Sequence, residues 1–184
     1  MSTDFITTAT GKRFHFEDPQ PDEIDIADIA YSLSHTNRWG GHSFPAFSVA
    51  QHSVMVADAL LRNGASQIIQ LQGLMHDAAE AYLGDVPTPI KRKLPEYMAM
   101  EILVTDAIFA KWGIPMPMDQ QVHLQDVEIR RWEYRDLMPE VLGVEPPLAP
   151  HPTMKVWTPL ESEAAFVGRF YDLMIALGLH KEAA

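Results

Sequence analysis

Two histidines and two aspartates, His52, His76, Asp77 and Asp126, are the residues of this 184-residue chain best suited to metal chemistry. Neutral imidazole and carboxylate oxygen together suit one borderline divalent ion such as Mn, Fe, Co, Ni or Zn. His52 shares a helical stripe with Val49, Val56 and Leu60. Its ring therefore faces a core, where an imidazole needs a partner that a metal can supply. His76 and Asp77 interrupt the largely apolar run Leu71-Gln-Gly-Leu-Met-His-Asp-Ala-Ala-Glu-Ala-Tyr-Leu83. Successive helical residues point about 100° apart, so both reach one ion only if it sits in the angle between them. Glu80 is four residues beyond His76, on the same helix face, where a carboxylate can handle the proton of a metal-activated water. Asp85, just past Gly84, is placed to orient that water or the leaving group.

Taken singly, these residues carry little weight. A lone histidine among the eight in the chain is more often structural or surface than a ligand. His15, His35, His123, His151 and His180 are read that way, and His42, beside Gly40 and Gly41, stays open. A buried His-Asp pair can equally be a hydrogen-bonded core pair. What sets a metal centre beside that reading is co-occurrence: a histidine, a His-Asp dyad and a carboxylate three residues further on, all within apolar helices.

Helices are expected to position these groups. Ile26, Ile29, Ala30 and Leu33 recur at helix spacing, as do Val49, His52, Val56, Ala59 and Leu60 behind a Ser48 cap. A third helix is expected over residues 66–83, stopped by Gly84, and a loop over 85–89. Further helices are expected over 95–112, 118–138 and 160–177, the last closed by Gly178. Ahead of them, residues 5–16 carry β-prone side chains around a Thr-Gly turn and predict a small hairpin, with a proline-bearing linker over 18–22. Proline-rich 139–158 reads as an irregular excursion. The result is an all-α fold in one domain, with a helical core over about 24–178.

Composition narrows the function. There is no cysteine, which excludes disulfides, thiolate metal sites and cysteine nucleophiles. A net charge of −11 argues against a nucleic-acid polymer as partner, yet leaves room for a small phosphorylated substrate neutralised locally by a metal and a few cations. No stretch approaches the roughly 18 apolar residues that span a bilayer. The first residues lack a secretory pattern, so no membrane partner and a cytoplasmic location are expected.

The ordered set His52, His76-Asp77, Asp126 resembles the metal signature of the HD superfamily of phosphohydrolases. The longer string His76-Asp-Ala-Ala-Glu-Ala-Tyr-Leu-Gly-Asp-Val-Pro-Thr-Pro-Ile-Lys91 looks like the central motif of bacterial and phage HD-domain deoxynucleotide hydrolases. Arg38-Trp39, Val49-Ala-Gln-His-Ser53 and Asp126-Val-Glu-Ile-Arg-Arg-Trp-Glu-Tyr-Arg-Asp-Leu-Met138 are similar to their counterparts. The likeness runs over about residues 24–178.

That resemblance implies an HD-type helical bundle in which His52, His76, Asp77 and Asp126 bind the metal. It implies Glu80 as the catalytic carboxylate and Asp85 as the second acid of the motif. Arg38 would contact phosphate or sugar, Trp39 would pack on the nucleoside, and Lys91 would approach phosphate; Arg38 and Trp39 are otherwise an ordinary surface charge and an ordinary core residue. The implied reaction is metal-dependent hydrolysis of a deoxynucleoside 5′-phosphate, leaning to a triphosphohydrolase of dATP type that releases triphosphate, with room for a Mg ion on the substrate phosphates. A 5′-deoxynucleotidase acting on monophosphates, and an idle nucleotide-binding sensor, are the alternatives. A di-iron oxygenase would need further clustered histidines, and none is evident. Gly40 and Gly41 follow the tryptophan where side chains would select the base, so adenine preference is not specified. A homo-oligomer is left open.

Overall fold

The computed structural model describes residues 4–138 and 154–179. It opens with the antiparallel pair β1 (Phe5–Thr7) and β2 (Arg13–His15), with Ile6 opposite Phe14. Asp28 anchors the intervening turn, accepting from the backbone N–H and the hydroxyl of Thr10, each at 2.7 Å. The regular structure that follows is helical: α1 (Ile26–His35), a single 3-10 turn Arg38–Gly41, α2 (Val49–Arg62), α3 (Gln67–Met75), α4 (Glu80–Leu83), α5 (Thr88–Lys91), α6 (Pro95–Trp112), α7 (Gln120–Leu137) and α8 (Pro159–Ala176). The fold is all-α with a small N-terminal hairpin. Among the described residues no helix is long and apolar enough to cross a membrane.

Helix α2 is the axis of the bundle. Its side chains are buried almost all round, against α1, α3, α7 and α8, the pattern of a helix with no solvent face. Ser48 caps it as expected, its hydroxyl accepting from the Gln51 N–H at 3.2 Å, which satisfies one of the orphan donors of the first turn. One core joins Ile29, Leu33, Val54, Leu71, Leu74, Phe166 and Phe170; a smaller one joins Val56, Leu60, Val122 and Ile129. Gly73 lets α3 lie directly on α2, since a Cβ there would come within 2.3 Å of Leu60 Cδ1.

Three expectations need correction. The helix foreseen over 66–83 is broken: α3 ends at Met75, and residues 76–79 form tight turns before α4. Their backbone bonds skip three residues rather than four, with the N–H groups of Ala78 and Glu80 each 3.0 Å from the carbonyls of Met75 and Asp77. Such a turn advances by about 120° per residue instead of 100°, which widens the angle between adjacent side chains. Hydrophobic periodicity cannot tell the two pitches apart over four residues. Second, the loop foreseen over 85–89 gives way to α5, where Pro89 fits the first helical turn because its fixed φ suits that position. Third, α7 begins at Gln120, because the Asp119 carboxylate caps it by accepting from the Gln121 N–H. Of the excursion foreseen over 139–158, residues 139–153 lie outside the described residues. Just beyond them, the Gln51 side chain donates to the Lys155 carbonyl and accepts from the Trp157 N–H, tying that strand of chain to α2.

Candidate metal centre

Three elements bring the centre together. Helix α2 supplies His52, the 76–79 turns supply His76 and Asp77, and α7 supplies Asp126. One donor atom from each of His52, His76 and Asp126 lies within 4.8 Å of the other two, a cluster that could hold a metal ion. His52 Nε2 is 3.3 Å from His76 Nε2 and 3.3 Å from Asp126 Oδ1. Asp77 enters from the His76 side, its Oδ2 lying 3.1 Å from His76 Nε2 and 3.7 Å from His52 Nε2.

The rings are oriented from behind. His52 Nδ1–H donates to Glu133 Oε1 at 2.6 Å, and His76 Nδ1–H donates to the Gly73 carbonyl at 2.8 Å. Committing both Nδ1 atoms as donors leaves an Nε2 lone pair on each ring. Two such lone pairs facing each other at 3.3 Å repel unless a proton or a cation joins them. Two metal–nitrogen bonds of about 2.1 Å meeting at the tetrahedral angle would set their nitrogens about 3.4 Å apart. The donor set therefore fits a divalent ion.

A proton on His76 is the alternative to a cation there. Burial opposes charge on His76, but Asp77 and Asp126 outweigh it and lift its pKa from 6.5 to about 9. Burial likewise disfavours the charged carboxylates. His76, His52 and Arg38 overcome this at Asp77, and the His52 hydrogen bond with both imidazoles overcomes it at Asp126, so both stay below the usual carboxylate range.

Glu80 is set differently. Burial pushes its carboxyl well above the ordinary range, and the negative charges of Asp77 and Asp85 push it further, against Arg38 and Lys91. Its Oε1 is 3.6 Å from Lys91 Nζ, while its buried Oε2 has no hydrogen-bond partner. A buried carboxylate oxygen left unpaired is costly, and such groups concentrate where a reacting proton will be. Asp85 is half-buried, and burial with the Asp77 charge raises it too, despite Arg38 and Lys91.

The foreseen substrate contacts surround the centre but are themselves partnered. Arg38 is buried, with Nε 2.9 Å from Glu133 Oε2 and Nη1 3.4 Å from Asp77 Oδ2. Lys91 Nζ lies 2.5 Å from Glu101. Trp39 is half-buried, donates through Nε1 to Glu133 Oε2 at 2.9 Å and meets the edge of Tyr134. It sits at φ 61°, a left-handed setting that costs a bulky residue about 1–3 kcal/mol. The bridge between Asn37 and Ser48 closes the loop that carries it.

Glu133 is the residue that sequence reasoning left without a role. It is fully buried, and Arg38 with His52 overcomes that burial to hold it ionised. Its one sequence cue is the seven-residue spacing from Asp126, two turns along one face of α7, which marks a shared face but not a role.

Similarity to known proteins spans this whole arrangement. The chain is 36% identical over 174 residues to the uncharacterized protein YfdR of Escherichia coli K12, covering 92% of this chain and 95% of that protein. It belongs to the YfdR family. A further relative, the uncharacterized protein RCAP_rcc00048 of Rhodobacter capsulatus, is 30% identical over 185 residues, covering 91% of this chain and 94% of its own. No protein-family model matches the chain. Within this YfdR-like chain, then, chemistry rests on the side chains themselves: a convergent donor set, a buried carboxylate with one free oxygen, and two cations beside it.

Proposed function

We propose that the chain is a metal-dependent phosphohydrolase of the HD type, acting on deoxynucleoside 5′-phosphates. The observation that carries this reading is the pairing of two Nε2 lone pairs and Asp126 with the buried, half-partnered Glu80. His52, His76, Asp77 and Asp126 would hold a divalent ion, which when bound would supply Lewis acidity and a more acidic water.

The chain's own groups do the rest. Glu80, whose carboxyl burial raises above the ordinary range, takes the proton of the attacking water. The water oxygen bonds to phosphorus while the bond to the nucleoside 5′ oxygen breaks, and the proton passes on to that oxygen. Arg38 and Lys91 balance phosphate charge; Lys91, between Glu80 and Glu101, can exchange a carboxylate for a phosphate oxygen. Asp85 orients the water, and Trp39 offers an indole face to the base. The same bond breaks in a triphosphate, releasing triphosphate, and in a monophosphate, releasing phosphate. Our reading leans to the triphosphate.

A panel of deoxynucleoside mono- and triphosphates with Mn or Co, resolving phosphate, pyrophosphate and triphosphate, tests this. Free nucleoside with triphosphate is the expected product pair. Nucleotide binding without turnover would make the chain a sensor instead.

A further inference from the structure

Glu133 joins two parts of the site that the proposed chemistry uses separately. Oε1 takes His52 Nδ1–H at 2.6 Å, while Oε2 takes both Arg38 Nε and Trp39 Nε1 at 2.9 Å. Its carboxylate is 0% exposed, so no water substitutes for a lost donor. Trp39 is the one residue other than glycine held at positive φ among the described residues, and only tertiary contacts maintain such a conformation. The local turn bond from the His42 N–H to the Trp39 carbonyl leaves the indole free to turn, and the side chain is held by the Glu133 hydrogen bond, the Arg38 guanidinium over its ring and the Tyr134 edge, one residue further along α7. Arg38, next to Trp39 in the chain, reaches both Glu133 and Asp77. A carboxylate moving to follow His52 must therefore move against Trp39.

We infer that Glu133 is a positioning residue that couples metal binding at His52 to the left-handed setting of Trp39. An ion held by His52 would lock the ring in the orientation in which Nδ1 donates to Glu133, and the carboxylate so held would keep the indole in place. By linkage the effect is reciprocal, so an ordered Trp39 tightens metal binding by the same factor. The inference deepens the phosphohydrolase reading, in which Trp39 is the base platform, by having the metal set that platform before substrate arrives.

The test needs no substrate and no turnover. The full chain, labelled with 15N-tryptophan, is titrated with Zn(II), and the Trp39 indole N–H resonance is assigned through Trp39→Phe. Zinc affinity is measured by calorimetry for the wild type, Trp39→Phe, Glu133→Gln and the double variant. Zinc should shift the Trp39 resonance. Glu133→Gln should weaken zinc binding by roughly 10- to 100-fold, and Trp39→Phe by roughly 2- to 10-fold. The Trp39→Phe effect should vanish in the Glu133→Gln background. If Glu133→Gln fails to fold, Trp39→Phe and the wild-type resonance still decide. A Trp39 resonance indifferent to zinc, with unchanged affinity in Trp39→Phe, overturns the coupling and leaves the metal centre and its proposed reaction standing. A wild type that binds no zinc overturns both.

Discussion

His52 Nε2 and His76 Nε2 point at each other across 3.3 Å, while each ring's Nδ1 is already committed to an acceptor behind it. Neither ring can donate to the other without acquiring a second proton. A proton that settles on His76 Nε2 must therefore leave before a metal ion can bind there.

Metal affinity follows from that. The His76 pKa is raised from 6.5 to about 9, so its contribution to metal-free stability is complete below about 6.5 and lost as pH rises through about 9. Binding expels the proton. Apparent Mn(II) affinity should rise by about tenfold per pH unit between pH 7 and 8.5. Calorimetry in buffers of different ionisation enthalpy should show about one proton released; a flat affinity would remove the His76 proton from the account.

Glu80→Gln should lose activity while gaining stability. A general base contributes on the order of 10²–10⁴-fold, and turnover should fall by that much with metal content unchanged. The carboxyl's pKa is raised in the folded chain, so the stability it contributes is present below the ordinary 4.5 and is lost as pH climbs. The amide removes that cost. Melting at pH 7.5 should rise by about 2–4 °C, equivalent to about 1 kcal/mol for a chain of this size, with little change at pH 4. Lowered melting at both pH values would mean that Glu80 is a structural partner of Lys91.

The all-α class, the hairpin, the Ser48 cap and the spans of α6 and α8 were legible because periodicity, caps and prolines are local signals. The donor residues were legible as residue types, and the structure brings His52, His76 and Asp126 together. The break at His76 was not, because four residues are too few to separate two helical pitches. Nor was Glu133, whose role arises from contacts to His52, Arg38 and Trp39, some 80 to 95 positions away in the chain. Within α7 it reads as one more acidic residue on a charged helix.

Gly73→Ala tests the seat of the centre. The added Cβ would meet Leu60 Cδ1 at 2.3 Å and Val56 Cγ1 at 3.4 Å, and Leu60 is only 1% exposed, with little room to turn. Overpacking of this kind costs about 1–3 kcal/mol. Because the Gly73 carbonyl orients His76, metal affinity should fall as well. In a double-mutant cycle, Leu60→Ala should cost less in the Gly73→Ala background than alone. Strict additivity would mean that α2 and α3 simply move apart.

Trp39→Ala asks whether the substrate carries a base. Loss of stacking should weaken nucleotide binding by about 1–3 kcal/mol, roughly 5- to 150-fold in Kd. Hydrolysis of p-nitrophenyl phosphate, which has no base, should change far less. Equal losses on both substrates would assign the indole to packing alone.

The most direct measurement is metal content per chain by elemental analysis, on protein loaded with Co(II) or Mn(II) and freed of excess, for the wild type and for His76→Ala, Asp126→Ala and Glu80→Gln. The centre described here predicts one ion per chain in the wild type and in Glu80→Gln. It predicts little or none in His76→Ala and Asp126→Ala, provided each still melts cooperatively. An ion retained by both ligand variants, or absent from a folded wild type, would contradict it.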